Sequence, residues 1–314
     1  YATADGSAED GSDYTAAAGT VVYAIGESGP KTFTVAIAAD GIAEPATETF
    51  TVGLSGLTTT SDVSIDDASG TMTVTNADTA SLSVAANGAT EAAGAIVVTV
   101  SIDMATQTGV TVTYTTSNGA ALAGSDYTAA SNTLTWAAGD AADKTFSVAV
   151  AGDGIAESTT EDFTVTLSLD TSTSETTIGT ASASMTITNS DTASITVADE
   201  VYDEDAGAAV VTISMTPAAD SAVSVDYATS DAGATAGADY TATSGTVTFA
   251  AGETSKTVSI PITNDGIAEL ATEDITFTLS NVVATADFSL DDATATVTIN
   301  NIDTATMSVA DITF

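Results

Sequence analysis

The stretch Lys144-Thr145-Phe146-Ser147-Val148-Ala149-Val150-Ala151-Gly152-Asp153-Gly154-Ile155-Ala156-Glu157 carries two signals. From Thr145 to Val150 polar and apolar side chains alternate, the period-2 pattern of a half-buried β-strand. The segment after it, Asp-Gly-Ile-Ala-Glu, recurs at Asp40–Glu44, Asp153–Glu157 and Asp265–Glu269, spaced by 113 and 112 residues. Asp-Tyr-Thr recurs from Asp13, Asp126 and Asp239 at a spacing of 113 both times. Asp-Thr-Ala recurs from Asp78, Asp191 and Asp303, and the three lysines, Lys31, Lys144 and Lys256, keep the same period. Four motifs with one common period define a repeat protein.

Working outward through the middle repeat, the alternation and its Gly, Asn, Asp and Ser punctuation place seven strands. Strand A lies near Ser81–Val84, B near Ala95–Ile102, C near Val110–Thr116 and D near Thr133–Trp136. Strand E lies near Lys144–Val150, F near Asp162–Leu169 and G near Ala183–Thr188. Seven strands in about 113 residues fit a two-sheet, immunoglobulin-like sandwich better than a jelly roll or barrel. The fold class expected is therefore all-β: tandem seven-strand β-sandwiches arranged as a rod. Boundaries fall at Asn76-Ala77-Asp78, Asn189-Ser190-Asp191 and Asn301-Ile302-Asp303, without a Gly/Pro-rich linker. Such short connections restrict relative motion. This divides the chain into 1–77, a repeat without strands A and B; 78–190 and 191–302, complete repeats; and 303–314, the first strand of a following repeat. The chain opens at Tyr1 in mid-repeat, which reads as a start inside a longer protein.

Composition limits the partners. The formal net charge is −40, from 43 acidic residues against three basic ones. Nucleic acid and anionic lipid both require cations that this chain lacks. There is no cysteine and no histidine, hence no disulfide, thiolate or imidazole. No run approaches the ~18 apolar residues of a membrane-spanning helix. Without His or Cys, the conceivable enzyme is a carboxylate-pair glycosidase, and the acids are better explained as metal ligands, so no catalysis is expected. A cysteine-free chain suits a long secreted bacterial protein, and an extracellular or cell-surface location is expected.

The acids recur where topology gathers loops. In a seven-strand sandwich the AB, CD and EF loops and the end of strand G share one pole. AB carries Glu91 and Glu204; CD carries Asp13, Asp126 and Asp239. EF carries Asp40, Glu44 and Glu48, then Asp153, Glu157 and Glu161, then Asp265, Glu269 and Glu273. The G end carries Asp78, Asp191 and Asp303, each two residues after an asparagine. Carboxylates gathered this way repel unless a cation sits among them. Hard oxygen ligands suit calcium better than zinc or copper. The plainer alternative is a set of solvated loop acids copied by duplication, since acids also occur at Asp66, Asp67, Asp291, Asp292 and Glu253.

The run Ala228-Thr229-Ser230, Gly237-Ala238-Asp239-Tyr240-Thr241, Ser244–Phe249, Ala251-Gly252-Glu253-Thr254 and Asn264–Glu269 with Glu273 closely resembles the Calx-β motif. The resemblance covers essentially the whole chain three times. It implies immunoglobulin-like sandwiches that bind several calcium ions at one pole, as in sodium–calcium exchangers, and it implies a kinship with long bacterial surface proteins and adhesins. Carried over residue by residue, the AB glutamate falls on Glu91 and Glu204 and the CD aspartate on Asp13, Asp126 and Asp239. The EF pair falls on Asp40/Glu44, Asp153/Glu157 and Asp265/Glu269. The first acid of the EF cluster is replaced by Ala39, Gly152 and Asn264, and the terminal cluster is reduced to Asn-x-Asp. Both departures imply fewer or weaker ions per repeat than in the exchanger.

The function expected is a calcium-binding structural segment of a large surface or filament protein, with calcium rigidifying the array. The alternative is an adhesin segment gripping a carbohydrate or another cell, for which Tyr202 is the one exposed loop aromatic of note. Expected partners are calcium ions and neighbouring repeats of the same or an adjacent chain, with a homopolymeric filament as a further form of assembly. Trp136, aligned with Tyr23 and Phe249, is expected as a core plug. Tyr14, Tyr127 and Tyr240 are expected as buried rings with hydroxyls bonded near the pole. The lysines are expected at solvated strand starts. Strand A at Thr304–Val309 has no module of its own, and the first repeat has no A or B. Strand donation between subunits and a window on a longer chain both account for this; the window is favoured, because strand B would need replacing as well.

Overall fold

The computed structural model describes residues 1–60, 62–170 and 175–311. Two compact units form, the first from Tyr1–Asn87, Ile96–Ala149 and Phe163–Met185, the second from Gly88–Ala95, Val150–Asp162 and Thr186–Phe314. The division passes through the middle repeat. Among the described residues no helix is long and apolar enough to cross a membrane. Helical structure there is confined to the 3-10 turns Glu91–Ala93 and Glu204–Ala206.

The third repeat shows why this sequence makes a sandwich. One sheet runs Ser255–Pro261, Ala208–Thr216, Ala193–Val197, Phe288–Asp292; the other runs Glu200–Asp203, Thr294–Asn300, Thr272–Val283, Val223–Asp231, Ser244–Phe249. Ala208–Thr216 alternates strictly: Ala209, Val211, Ile213 and Met215 are all 0% exposed, and the residues between them face away. Ile275, Phe277, Leu279, Val297 and Ile299 of the other sheet meet them in one core. Burying both inner faces supplies the main driving force, at roughly 25 cal/mol per Å² of apolar surface.

The middle repeat has the same two sheets. All seven expected strands form, as Ala80–Val84, Ala95–Ile102, Val110–Asn118, Ser131–Trp136, Lys144–Ala149, Thr160–Leu169 and Ser182–Thr188. Two more join them. Asn87–Thr90 adds to the edge of the five-stranded sheet beside Ser182–Thr188, and Thr176–Thr180 pairs in parallel with Ala80–Val84. Among the described residues each complete repeat therefore has nine strands, two more than expected, the third having Glu200–Asp203 and Phe288–Asp292 in the equivalent places.

The first repeat differs. Among its described residues the strands are Ala2–Ala4, Thr47–Gly53 and Ser69–Thr75. Residues 19–36, the counterparts of strands D and E, form no ladder. Strand E pairs with strand B in the complete repeats, and strand D pairs with strand C. Among the described residues of this repeat no strand stands in the place of B, and C is represented by Ala2–Ala4. An open apolar groove of about 600 Å³ follows, lined by Phe33, Val35, Phe50, Val52 and Met72 among others. Trp136, expected as a core plug, is 0% exposed, as is Phe249 at the equivalent position, whereas Tyr23, aligned with both, is 51% exposed. Trp136 also donates its indole N–H to Ala142 O at 2.7 Å. At the other end, Thr304–Val309 pairs with no strand among the described residues, and Met307 and Val309 are both 100% exposed.

Candidate metal centre

The CD loop is built the same way in each repeat. Tyr14, Tyr127 and Tyr240 are buried, and their hydroxyls donate to Asp5 Oδ1 (2.6 Å), Asn118 Oδ1 (2.7 Å) and Asp231 Oδ1 (2.7 Å). The same oxygens accept the amides of Asp10, Ala123 and Ala236, each at 3.0 Å. Burial, then the bond to Asp231, pushes the Tyr240 hydroxyl up to about 12. The anchored ring fixes the aspartate before it. Asp13, Asp126 and Asp239 each accept, through Oδ2, the amide of the residue four earlier: Glu9 (2.6 Å), Leu122 (2.6 Å) and Thr235 (2.7 Å). This leaves one carboxylate oxygen of each aspartate for another partner.

The EF loop follows a second rule. Asp40, Asp153 and Asp265 close tight turns by accepting the amides of Ile42, Ile155 and Ile267 at 2.9, 2.9 and 2.8 Å. A side chain bonded to backbone two residues on is an Asx-turn, which suits Asp here. In the first repeat, Asp13, Glu44 and Glu48 bring ligand oxygens within 4.8 Å of one another; in the third, Asp239, Glu269 and Glu273 do the same. In the middle repeat Asp153 and Glu157 meet within the same distance. Asp126 holds the CD-loop position of Asp13 and Asp239.

Electrostatics shows what else reaches each group. Burial and then the charge of Asp13 raise the Glu44 carboxyl to about 7, with Asp40 and Glu48 adding to the push. Burial also raises Glu48, with Asp13 and Glu175 acting in the same direction and the amide of Gln107 opposing them. In the third repeat burial raises Glu269, helped by Asp239, Asp265, Glu204 and Asp303. Four of the acids expected at one pole, Glu204, Asp239, Asp265 and Asp303, thus act on a fifth, Glu269. Asp303 Oδ2 is buried without a hydrogen-bond partner, although Asn301 Oδ1 accepts its amide at 2.7 Å.

The AB glutamates are positioned by the 3-10 turns. Each turn ends on a glycine in the left-handed region, Gly94 at φ 76° and Gly207 at φ 77°, a conformation that a side chain would strain. Glu91, 4% exposed, accepts both the amide (2.9 Å) and the hydroxyl (2.7 Å) of Ser190. Glu204, likewise 4% exposed, accepts the amide of Ile302 at 3.0 Å. Burial raises the Asp191 carboxyl, followed by its contact with Glu91 and the charge of Asp153. Asp78 is exposed and is not among the carboxylates that weigh most on Glu44.

The lysines lie elsewhere. Lys31 pairs with Glu27, Lys144 with Asp140 at 2.6 Å and Lys256 with Glu253 at 2.6 Å, all beside the DE turn. Lys144 also lies 6.0 Å from the centre of the Trp136 ring. Tyr202 donates its hydroxyl to Val210 O at 3.0 Å and packs against the core, so it is not a free adhesive aromatic. One acid outside the sequence-derived set belongs to this region: Glu175, 3% exposed, whose charge acts on the equally buried Glu48. The EF segment marks Glu48; nothing in the period marks Glu175.

With this geometry in place, the Calx-beta domain family model matches residues 1–80, 75–191 and 188–303. The chain belongs to the Calx-beta family and carries the domain three times in tandem. Solved structures similar to it include CBD12 from CALX1.2, at 19% identity over 70% of this chain and 99% of that one, TM-score 0.34. The calcium binding domain CBD12 of CALX1.1 matches at 20% identity over 69% and 98%, TM-score 0.33. The apo-form Calx CBD1 domain matches at 23% identity over 36% and 100%, TM-score 0.33. The comparison with curated proteins found no match.

Proposed function

We propose that the chain is a calcium-binding structural segment of a larger extracellular or cell-surface protein, in which calcium holds each repeat's loops in one arrangement. The observation that carries this reading is the first-repeat group Asp13, Glu44 and Glu48. Its ligand oxygens lie within 4.8 Å of one another, while every lysine of the chain is paired beside a DE turn. Carboxylates this close repel unless a proton or a metal ion intervenes, and Glu44 at about 7 is the proton's answer. An all-oxygen donor set favours calcium over softer metals. Asp303, with a buried and unpartnered oxygen, offers the same chemistry in the third repeat. The residues assigned as ligands are Asp13, Asp40, Glu44 and Glu48; Glu91, Asp126, Asp153, Glu157 and Asp191; and Glu204, Asp239, Asp265, Glu269, Glu273 and Asp303. Asp78 is the weakest member of the set. The module limits 1–77, 78–190 and 191–302 go with this assignment.

Binding to the folded state alone stabilises it by RT ln(1 + [Ca]/Kd), about 2.7 kcal/mol per site at one hundred times Kd. Thermal melting with EDTA, then with millimolar calcium or magnesium, tests the reading. A rise of several degrees with calcium, smaller with magnesium, is expected. Identical curves would remove the metal from the account.

A further inference from the structure

Ala43 and Ala156, the fourth residues of the first two Asp-Gly-Ile-Ala-Glu loops, are both 0% exposed, and the cause lies in the repeat that follows each. Ala43 N–H donates to Ala105 O at 2.9 Å, and Gln107 N–H donates to Ala43 O at 2.8 Å. Ala156 N–H donates to Ala218 O at 2.9 Å, and Asp220 N–H donates to Ala156 O at 3.1 Å. Each pair makes a short parallel bridge, Ala43 to Thr106 and Ala156 to Ala219, between an EF loop and the BC loop of the next repeat. Gly139 and Gly252 of the DE turns hold those BC loops from behind, donating to Thr106 O (2.9 Å) and Ala219 O (2.8 Å).

The third loop has the same sequence and the same Asx-turn, yet its edge is bare. Ala268 makes neither bond among the described residues; Ile267 is 56% and Leu270 70% exposed. A second segment is bare in the same way. Met307 and Val309 are each 100% exposed, whereas the residues one period earlier, Ile195 and Val197, are 0% and 3% exposed, as are Leu82 and Val84. An unpaired backbone edge beside unburied apolar residues is a surface waiting for a ladder.

We infer that the EF edge at Ala268, with Thr304–Val309, is a docking surface for a further Calx-beta repeat that supplies a BC loop and a core lacking its own strand A. The occupant is specified by the two filled edges. A BC loop with small residues such as Ala105-Thr106 or Ala218-Ala219 fits against the alanine, and an inner face accepts Met307 and Val309. The BC loops of both complete repeats are already engaged, with Ala43 and with Ala156.

The test fuses residues 1–302 to a further copy of residues 78–190, so that Asp78 takes the place of Asp303. Hydrogen exchange at the Ala268 amide is expected to slow at least ~100-fold relative to the unfused chain, as an amide does on entering a stable ladder. Ala268→Trp discriminates further. In the unfused chain the exposed position accepts the ring with no change in melting, whereas in the fusion the ring collides with the BC loop, lowers the melting temperature and restores fast exchange at residue 268. Equal exchange with and without the added repeat overturns the inference, as does a fusion that tolerates tryptophan. Concentration-dependent protection of Ala268 in the unfused chain would also overturn it, in favour of a second copy as occupant.

Discussion

Gln107 Nε2 donates to Glu48 Oε1 at 3.1 Å, so a BC-loop residue of the middle repeat grips an acid of the first repeat's metal group. Glu48 is 3% exposed, and the amide works against the burial and the charges of Asp13 and Glu175 that raise its carboxyl. Removing the donor leaves a buried carboxylate short of a partner, which costs about 1–3 kcal/mol. Gln107→Leu is expected to destabilise the calcium-free protein by that amount in chemical denaturation. A ligand tied to the next repeat should also bind metal less well when untied, so calcium titration of the same variant is expected to show weaker binding at this group. Unchanged denaturation and unchanged titration together would reduce the contact to a surface ornament.

Much of this was legible in the period. Thr145–Val150 alternates because one face is buried, and three copies of each motif place the acids in the CD and EF loops. What escaped has a physical reason. Asn87–Thr90 and Thr176–Thr180 are short edge strands of Asn, Gly, Ala and Thr without a clean apolar face, so period 2 gives them no signal. Residues 19–36 and Thr304–Val309 carry strand-like sequences but lack the strands that would pair with them, and a ladder needs both sides. The docking of Ala43 and Ala156 was invisible because alanine in a loop looks the same whether covered or bare.

Trp136 and Tyr23 occupy equivalent positions with opposite surroundings, and a pair of truncations should expose the difference. Trp136 is 0% exposed and Tyr23 51%. Trp136→Ala removes a large core side chain and orphans Ala142 O, the acceptor of its indole; a loss of about 3–5 kcal/mol is expected. Tyr23→Ala gives up a half-exposed ring lying 5.5 Å from Lys31 and should change stability by no more than about 1 kcal/mol. Equal losses in urea denaturation would mean that the first repeat is closed in solution.

Tyr240→Phe tests whether the buried hydroxyl serves the loop or only the core. The ring stays, but Asp231 Oδ1 keeps only the Ala236 amide. A cost of about 1 kcal/mol is expected from the lost bond. Because the same loop presents Asp239, calcium affinity of the third repeat should fall as well. A variant with lowered stability and unaltered affinity would separate the two roles and leave the tyrosine a core residue.

Glu44 makes the calcium-free protein pH-sensitive in a direction that can be worked out. Its carboxyl rises from 4.5 to about 7 in the folded chain, so between those values the folded state holds more proton than the unfolded one. Stability then falls as pH rises through that window. The contribution of Glu44 is whole below about 4.5 and gone above about 7. Other acids move the opposite way; Asp140, lowered by its bond to Lys144, adds stability that is lost as pH falls, so the total curve mixes both signs. Glu44→Gln isolates the one group, since the amide resembles the protonated acid at every pH. In EDTA the variant should gain on the parent as pH is raised from 4.5 to 7. With saturating calcium the sign should reverse, because the ion now stabilises the carboxylate that the amide has replaced. A constant difference between the two proteins across the window in EDTA would mean that Glu44 does not share a proton with Asp13. A variant that still gains on the parent at pH 7 in calcium would mean that no ion is held there.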